Sequence, residues 1–444
     1  MKWFSPRSLL LAAGSLLALS VSAQAATKIE RVVSPGGIEA WLVSDSSVPL
    51  IAMNFAFQGG ANQDPAGKPG VSYMTAALMD EGAGDLDAKA FQGRAERNAV
   101  ELTFTARRDE MRGALKVLRD RKDVGFELLR LALTQPRFDQ DAIERVRAQM
   151  LTALRRETTN PNDIGSRLWW RTAFPQHPYG LPTNGTLESV PQITRDDLRD
   201  YARRVFARDR LKIAVVGDID AKTLGPLLDR IFGPLPAKAE LRPVPSAKMD
   251  AVGKKIFVPL DVPQAVVNFG GVGIPRKDPD FIPAYIVNHI LGGGSFSSRL
   301  YREVREKRGL AYSVYSYLLP LDVSALFMGG TQTRADRAEE TVGLIEAEIR
   351  RLAEEGPTED ELDKAKSYLK GSYALNFDTS TKIANLLVQI QIDDLGIDYI
   401  ERRNGLIDAV TLADVKRVAK RLLEGGVLVT VVGRQPDKAA KQGG

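Results

Sequence analysis

The chain repeats itself. Its two halves carry the same run of landmarks at an offset of about 215 residues, and a long internal period constrains architecture more than any local motif does. Each half opens on an apolar, alternating strand that runs into Gly and then Asp-Pro. These are Ile51-Ala52-Met53-Asn54-Phe55-Ala56-Phe57-Gln58-Gly59-Gly60 before Asp64-Pro65, and Ala265-Val266-Val267-Asn268-Phe269-Gly270-Gly271 before Asp278-Pro279. A helix is predicted next in each, over 70–80 and 281–291. Pro136 and Pro357 then precede charged helices over 139–156 and 359–375. Thr194 and Thr411 each head a further helix, where the Thr oxygen can accept from a free backbone N–H. Both halves close on a β-branched strand, 211–218 and 427–434. This ordered agreement predicts an α+β fold of two homologous domains, each a mostly antiparallel sheet with helices packed on one face. The expected division is 26–237 and 253–444, joined by a linker at 238–252 rich in Pro, Ala and Lys. A cleft between duplicated domains is a favoured place for binding.

Residues 1–25 are expected to be a cleavable secretory signal. Lys2 and Arg7 give a positive start, 9–21 is apolar but too short to span, and Ala23-Gln24-Ala25 has the small-x-small form of a cleavage site. An uncleaved anchor is the competing reading, and that cleavage site disfavours it. Losing Lys2 and Arg7 lowers the formal charge from +5 to about +3, weak for a chain of this length. Acidic and basic residues interleave, as in Arg107-Arg108-Asp109-Glu110, and no basic patch is studded with aromatics, so nucleic acid is not an expected partner. With no Cys there is no disulfide and no thiolate chemistry. An exported chain of this size without disulfides relies on its cores, which suits the bacterial periplasm. No later segment is long and apolar enough to cross a bilayer, so no membrane association is expected after signal cleavage.

The C-terminal half holds Gly292-Gly293-Gly294-Ser295, followed by a short, highly charged helix that stops at Gly309 and a strand beginning near Tyr312. The glycines invite a phosphate-loop reading, but no Gly-Lys-Ser/Thr follows, and a tight turn or hinge explains them. Arg305 and Tyr312 fall on the two sides of the helix-to-strand corner. Taken alone, Arg305 could belong to a solvated helix face with Arg299, Arg302, Glu303, Glu306, Lys307 and Arg308. Tyr312 could be an ordinary strand aromatic beside Tyr315 and Tyr317.

The duplication, the Gly-rich turn and Val304-Arg305-Glu306-Lys307-Arg308-Gly309-Leu310-Ala311-Tyr312-Ser313-Val314-Tyr315 together resemble the pitrilysin/insulinase family of metallopeptidases. More narrowly they resemble the short bacterial members related to mitochondrial processing peptidase, over nearly the whole chain beyond residue 25. The resemblance implies that Arg305 and Tyr312 help hold substrate and support the tetrahedral intermediate, facing a zinc site across a chamber. An Arg fork and a phenolic O–H are suitable donors for a developing oxyanion. It also implies that Asn98-Ala99-Val100-Glu101-Leu102-Thr103-Phe104 is a strand at the chamber edge that can pair with an extended peptide, although an ordinary sheet strand explains it as well.

The family's zinc pattern is His-x-x-Glu-His on a helix with a distant downstream Glu. The two His point to one side and the Glu between them activates a metal-bound water. The corresponding positions here are Tyr73, Ala76, Ala77 and about Ala153. Three cannot ligate at all, and Tyr73 is expected to fill the space left by the metal. Asp80 and Glu81, adjacent on a turn, do not form a catalytic dyad by themselves. The chain has two His and no Cys, whereas a catalytic zinc site usually needs about three protein ligands. His177 lies in a His-Pro loop of the kind that relatives carry for structural reasons, and His289 reads as a helix residue at a core edge. The expectation is a zinc-free subunit of a heterodimeric periplasmic peptidase, inactive alone. A homologous partner carrying His-x-x-Glu-His would hold the zinc, and unfolded peptides would be the substrates. The alternative is a catalytically inert peptide-binding or scaffold protein. An independent serine hydrolase is disfavoured, since there is no Gly-x-Ser-x-Gly elbow and too few His for a triad.

Overall fold

Apolar runs rich in Val, Ile and Phe pair into two sheets, and amphipathic segments pack over them. A computed structural model describes residues 28–435, so the expected signal segment at 1–25 lies outside the described residues. The N-terminal half contains strands β1 (Glu30–Val33), β2 (Glu39–Ser44), β3 (Leu50–Gln58), a small ribbon of β4 (Gly82–Ala83) and β5 (Leu86–Asp87), β6 (Glu101–Ala106), β7 (Glu110–Leu118) and β8 (Leu211–Gly217). Its helices are α1 (Val71–Leu78), α2 (Ala88–Arg97), α3 (Lys122–Thr134), α4 (Gln140–Glu157), α5 (Pro161–Ala173), α6 (Arg195–Val205) and α7 (Ala221–Phe232). The C-terminal half contains β9 (Lys255–Pro259), β10 (Gln264–Val272), β11 (Ala311–Pro320), β12 (Ala325–Arg334) and β13 (Leu428–Gly433). Its helices are α8 (Phe281–Asn288), α9 (Ala338–Glu355), α10 (Glu359–Gly371), α11 (Ser380–Ile392), α12 (Tyr399–Asp408) and α13 (Leu412–Leu423).

The sheets repeat one plan. Their strand orders are β1-β2-β8-β3-β7-β6 and β9-β13-β10-β12-β11. In each, four strands pair antiparallel (β8-β3-β7-β6 and β13-β10-β12-β11), and β2 or β9 joins on the same side as a parallel strand. The chain is therefore an α+β protein with mostly antiparallel sheets, and β6 and β11 are equivalent free edges. Thr194 and Thr411 cap α6 and α13 in full capping boxes with Asp197 and Asp414. The helix predicted over 359–375 is α10 followed by a 3-10 stretch, Ser372–Phe377. The one predicted over 281–291 is α8 followed by a π-wound turn, His289–Gly293.

The opening strands do not alternate as expected. β3 and β10 are buried along nearly their whole lengths, because each is covered on both faces. Each sheet packs its own half's helices on one side. On the other it receives a helix from the opposite half: α11 lies on β3 and β8, and α5 lies on β10 and β13. Trp41, Ala56 and Val216 pack with Ile383, Leu387 and Val388, while Trp169 and Phe174 pack with Leu326, Met328 and Leu428. The indole of fully buried Trp169 also donates to the Leu428 carbonyl at 3.1 Å. Asn54 and Asn268, matched positions in the repeat, sit beneath these exchanged helices. Asn54, with its amide oriented to satisfy both neighbours, accepts from the Asn385 backbone on α11, and Asn268 lies against Gly165 of α5.

The connector after α7 holds no helix or strand until β9 and is pinned to both halves. Arg242 N donates to Gln63 Oε1 at 2.7 Å, Ala247 N to the Val323 carbonyl at 3.0 Å and Asp250 N to the Ala173 carbonyl at 2.9 Å. No helix among the described residues is long and apolar enough to cross a membrane.

Candidate functional site

The Arg305–Tyr312 corner is built from local irregularities. After the π-wound turn, the chain enters a second π-wound segment, Tyr301–Glu306, which carries Arg305; such windings recur at functional sites. Gly309, at φ +61°, turns the chain in a conformation that favours glycine. β11 then begins with a bulge: Ala311 pairs with Thr333 but Val314 pairs with Thr331, so one extra residue is accommodated. Thr331 and Thr333 donate their hydroxyls to the Ser313 and Leu310 carbonyls at 2.6 and 2.7 Å, holding the distorted strand in place. The bulge leaves Tyr312 and Ser313 both facing outward, and Tyr312 is 82% exposed. The glycines before the helix permit close approach to β11, since a Cβ at Gly292 would lie 2.5 Å from Ser316 Oγ.

Arg305 is brought to Tyr312 directly. Its Nη1 donates to the Tyr312 carbonyl at 2.8 Å. Its guanidinium sits 4.5 Å from the Tyr312 ring centroid and 5.0 Å from that of Tyr301, a cation–π arrangement that fixes its direction. The neighbouring cations all find carboxylates: Arg299 and Arg302 pair with Glu361, and Lys307 and Arg308 with Glu303. Arg305 has no ion-pair partner among the described residues. It is thus the exception to the ion-paired pattern of its own helix, and among the described residues its charge meets no carboxylate.

The equivalent corner of the N-terminal half has a different chemistry. Asp64 accepts from Gly70 N and Ser72 N, each at 2.7 Å, at the start of α1. Burial pushes its carboxyl up to about 7. α1 packs against α4, α6 and β6. On it Tyr73 is 42% exposed, so it points outward rather than filling a void; Ala76 is buried and Ala77 half-buried, and Ala153 of α4 is exposed. Methyl groups have no lone pair to offer, and one phenol does not make a ligand set. The residues present do not fit zinc. Among the described residues no group of three or more His, Asp or Glu is placed to hold a metal ion.

The two histidines are engaged elsewhere. His177 accepts from Tyr179 N at 3.1 Å through Nδ1, and its Nε2 meets the Pro245 carbonyl at 3.0 Å, so it tethers the connector. His289 is buried and stacked on Tyr368 with centroids 5.0 Å apart, and burial lowers its pKa. Glu81 pairs with Arg145 at 2.5 Å, which leaves no dyad with Asp80. The stretch 98–104 leads into β6, an edge strand of its sheet.

One cluster was read from sequence as ordinary interleaved charge and is not. Asp109, at the β6–β7 tip, is buried where that hairpin meets the β11–β12 tip. It accepts from Asn62 Nδ2 at 2.9 Å, the Tyr179 hydroxyl at 2.6 Å and Asp322 N at 3.1 Å. Burial raises its carboxyl to about 6 and lowers its neighbour Arg108 to about 10. Only the three-dimensional meeting of the two hairpin tips reveals this.

The described residues form a duplicated α+β shell with an exposed Arg–Tyr corner on the second sheet and Tyr and Ala side chains on α1 beside the first. The family model for the peptidase M16 inactive domain matches residues 192–369. A non-peptidase homologue of Helicobacter pylori is 27% identical over 406 residues, covering 91% of this chain and 94% of that one. An uncharacterized zinc protease of Mycobacterium bovis is 30% identical over 306 residues, covering 67% of this chain and 68% of that one. Among solved structures, a peptidase M16 inactive domain from Pseudomonas fluorescens superposes with a TM-score of 0.85 at 27% identity, covering 92% of this chain and 98% of that one. The chain belongs to the M16 peptidase family.

Proposed function

We propose that this chain is the zinc-free subunit of a two-chain periplasmic peptidase, with 26–237 and 253–444 as its two domains. A homologous partner bearing His-x-x-Glu-His carries the zinc, which activates water and polarises the scissile carbonyl. This chain contributes Arg305 and Tyr312, whose donors bind the substrate carbonyl and support the charge that develops on it. Unfolded peptides are held in extended form by strand addition at a free sheet edge. The observation that carries this reading is the unpaired Arg305 held against an exposed Tyr312, in a chain whose metal-ligand positions are Tyr and Ala. The periplasmic assignment is supported by the signal-like N-terminus.

The test is cleavage of an unstructured peptide by this chain alone, by the His-x-x-Glu-His homologue alone, and by the two together. Activity well above either component is expected only for the mixture. Robust cleavage by this chain alone, or stoichiometric zinc in it, overturns the reading. A second reading, an inert scaffold or peptide-binding protein, is favoured by the name of the Helicobacter pylori relative, a non-peptidase homologue. It is chosen if the mixture assembles but gains no activity.

A further inference from the structure

Between the two halves lies a cavity of about 920 Å³, walled by both hairpin tips, the connector and the end of α11. That volume suits a small ligand or a short peptide end. Arg108 lines it. Its guanidinium lies 3.6 Å from the ring centroid of Trp170, which fixes its plane. Among the described residues it makes no hydrogen bond and no ion pair, and its Nε is buried without a partner. A half-buried cation left in this state is costly unless an anion meets it.

The cavity's own carboxylates are already engaged. Asp109 is held by Asn62, Tyr179 and the Asp322 backbone, and Glu110 by Arg112 at 2.8 Å. Asp322 accepts from Gln58 at 2.9 Å, and Asp393 pairs with Arg276 at 3.2 Å. Arg107 pairs with Glu110 at 3.8 Å, which leaves Arg108 as the lining arginine of this hairpin tip without an ion pair among the described residues. Part of the wall is apolar, with Leu241, Leu319, Leu321 and Val323, beside polar residues such as Gln63, Arg242 and Gln389. The site therefore offers a planar fork of donors beside a greasy surface, which matches a carboxylate on an apolar group better than a bare inorganic anion.

We propose that this cavity is a peptide-carboxylate site, in which Arg108 takes the carboxylate and the leucine-lined wall takes an adjoining apolar side chain. The carboxylate can come from a peptide's C-terminus or from an acidic side chain within it. The site lies within one chain, so its occupancy needs no partner subunit and its test is separate from that of the peptidase reading.

Calorimetric titration of the full chain with four probes tests it: acetyl-Leu-Leu-Leu as the free acid, the same peptide as its amide, acetyl-Leu-Glu-Leu amide, and inorganic phosphate. The free acid is expected to bind at least about tenfold tighter than its amide, as for loss of a charge-assisted fork. Equal binding of the Glu peptide would assign the site to acidic side chains, and weaker binding to C-termini. Arg108→Gln is expected to weaken the carboxylate probes about tenfold or more, and Arg108→Lys by less, since it keeps the charge but loses the fork and the stack. Failure of every carboxylate probe to bind, equal affinity for acid and amide, or unchanged affinity in Arg108→Gln overturns the proposal. So does preferential binding of inorganic phosphate. The acid–amide difference is read on the wild-type chain and does not depend on how any variant folds.

Discussion

At the edge of the first sheet, α1 runs regularly beside β6 and carries Tyr73, Ala76 and Ala77, none of which pairs with an ionised group among the described residues. At the equivalent edge of the second sheet, the helix region is π-wound, the strand is bulged, and an unpaired Arg meets an exposed Tyr. The N-terminal corner keeps a regular frame without donors; the C-terminal corner spends local irregularity to aim its donors outward. A bulge and two π turns are not what a scaffold needs to close a sheet edge, and such features collect where a side chain must be re-aimed. The halves differ likewise at their Asp-Pro landmarks. Asp64 caps α1 through backbone N–H groups, whereas Asp278 and Asp280 are held by Arg421 and Arg417 of α13.

The largest expected effect comes from giving the first corner metal donors. The combined variant Tyr73→His, Ala76→Glu, Ala77→His and Ala153→Glu is expected to take up about one zinc per chain by metal analysis, against background for the native chain. No uptake would mean that the backbone of this corner, and not only its side chains, has left metal-binding geometry. Next is the weld between the halves. Trp169→Ala removes a fully buried indole that reaches from α5 to β13, and chemical denaturation is expected to show a loss of about 3–5 kcal/mol. A loss below about 1 kcal/mol would show that the exchanged helices do not carry the coupling of the halves.

A smaller effect separates Asp64 of the first Asp-Pro landmark from Asp280, which directly follows the second. Hydrogen bonds from Arg417 and then Arg421 hold the Asp280 carboxyl down at about 2, from an ordinary 3.8. Because the folded-state value is depressed, the stabilisation is present above the unfolded value and is lost as pH falls through about 2. Asp280→Asn is expected to cost about 1–2 kcal/mol at neutral pH and progressively less below pH 4. Asp64 is displaced the other way, up to about 7 by burial, so its ionised form works against folding as pH rises from its unfolded value through 7. Asp64→Asn is expected to lack that pH dependence, measurable as a flatter stability profile between pH 4 and pH 7. The smallest effect concerns the phenol alone: in the reconstituted pair Tyr312→Phe is expected to lower turnover by about two- to fivefold, the worth of one neutral hydrogen bond.

Much of this frame was legible in the sequence. The repeat fixed the landmark helices, the two Thr caps and the closing strands, and the flanks of Gly309 placed Arg305 and Tyr312 at one corner. The helix exchange was not foreseen, although a signal existed. Leu50 to Phe57 is apolar at all but one position, and a strand that reads as a continuous apolar run is one buried on both faces. The sequence marks Arg108 and Asp109 only as interleaved charge; their burial depends on contact between hairpin tips more than 200 residues apart in the chain, as in the Asp109–Asp322 bond. The π winding had no signal in the sequence, although Gly292 does permit close approach to Ser316 of β11.

The central claim is that Arg305 acts on a substrate whose zinc is supplied by another chain. Its most direct test is the kcat of Arg305→Ala in the reconstituted pair, with assembly checked by size-exclusion chromatography. The expected result is a fall of about tenfold or more with assembly intact, as for loss of a transition-state donor. Unchanged kcat in an intact assembly would contradict the claim and leave this chain a scaffold.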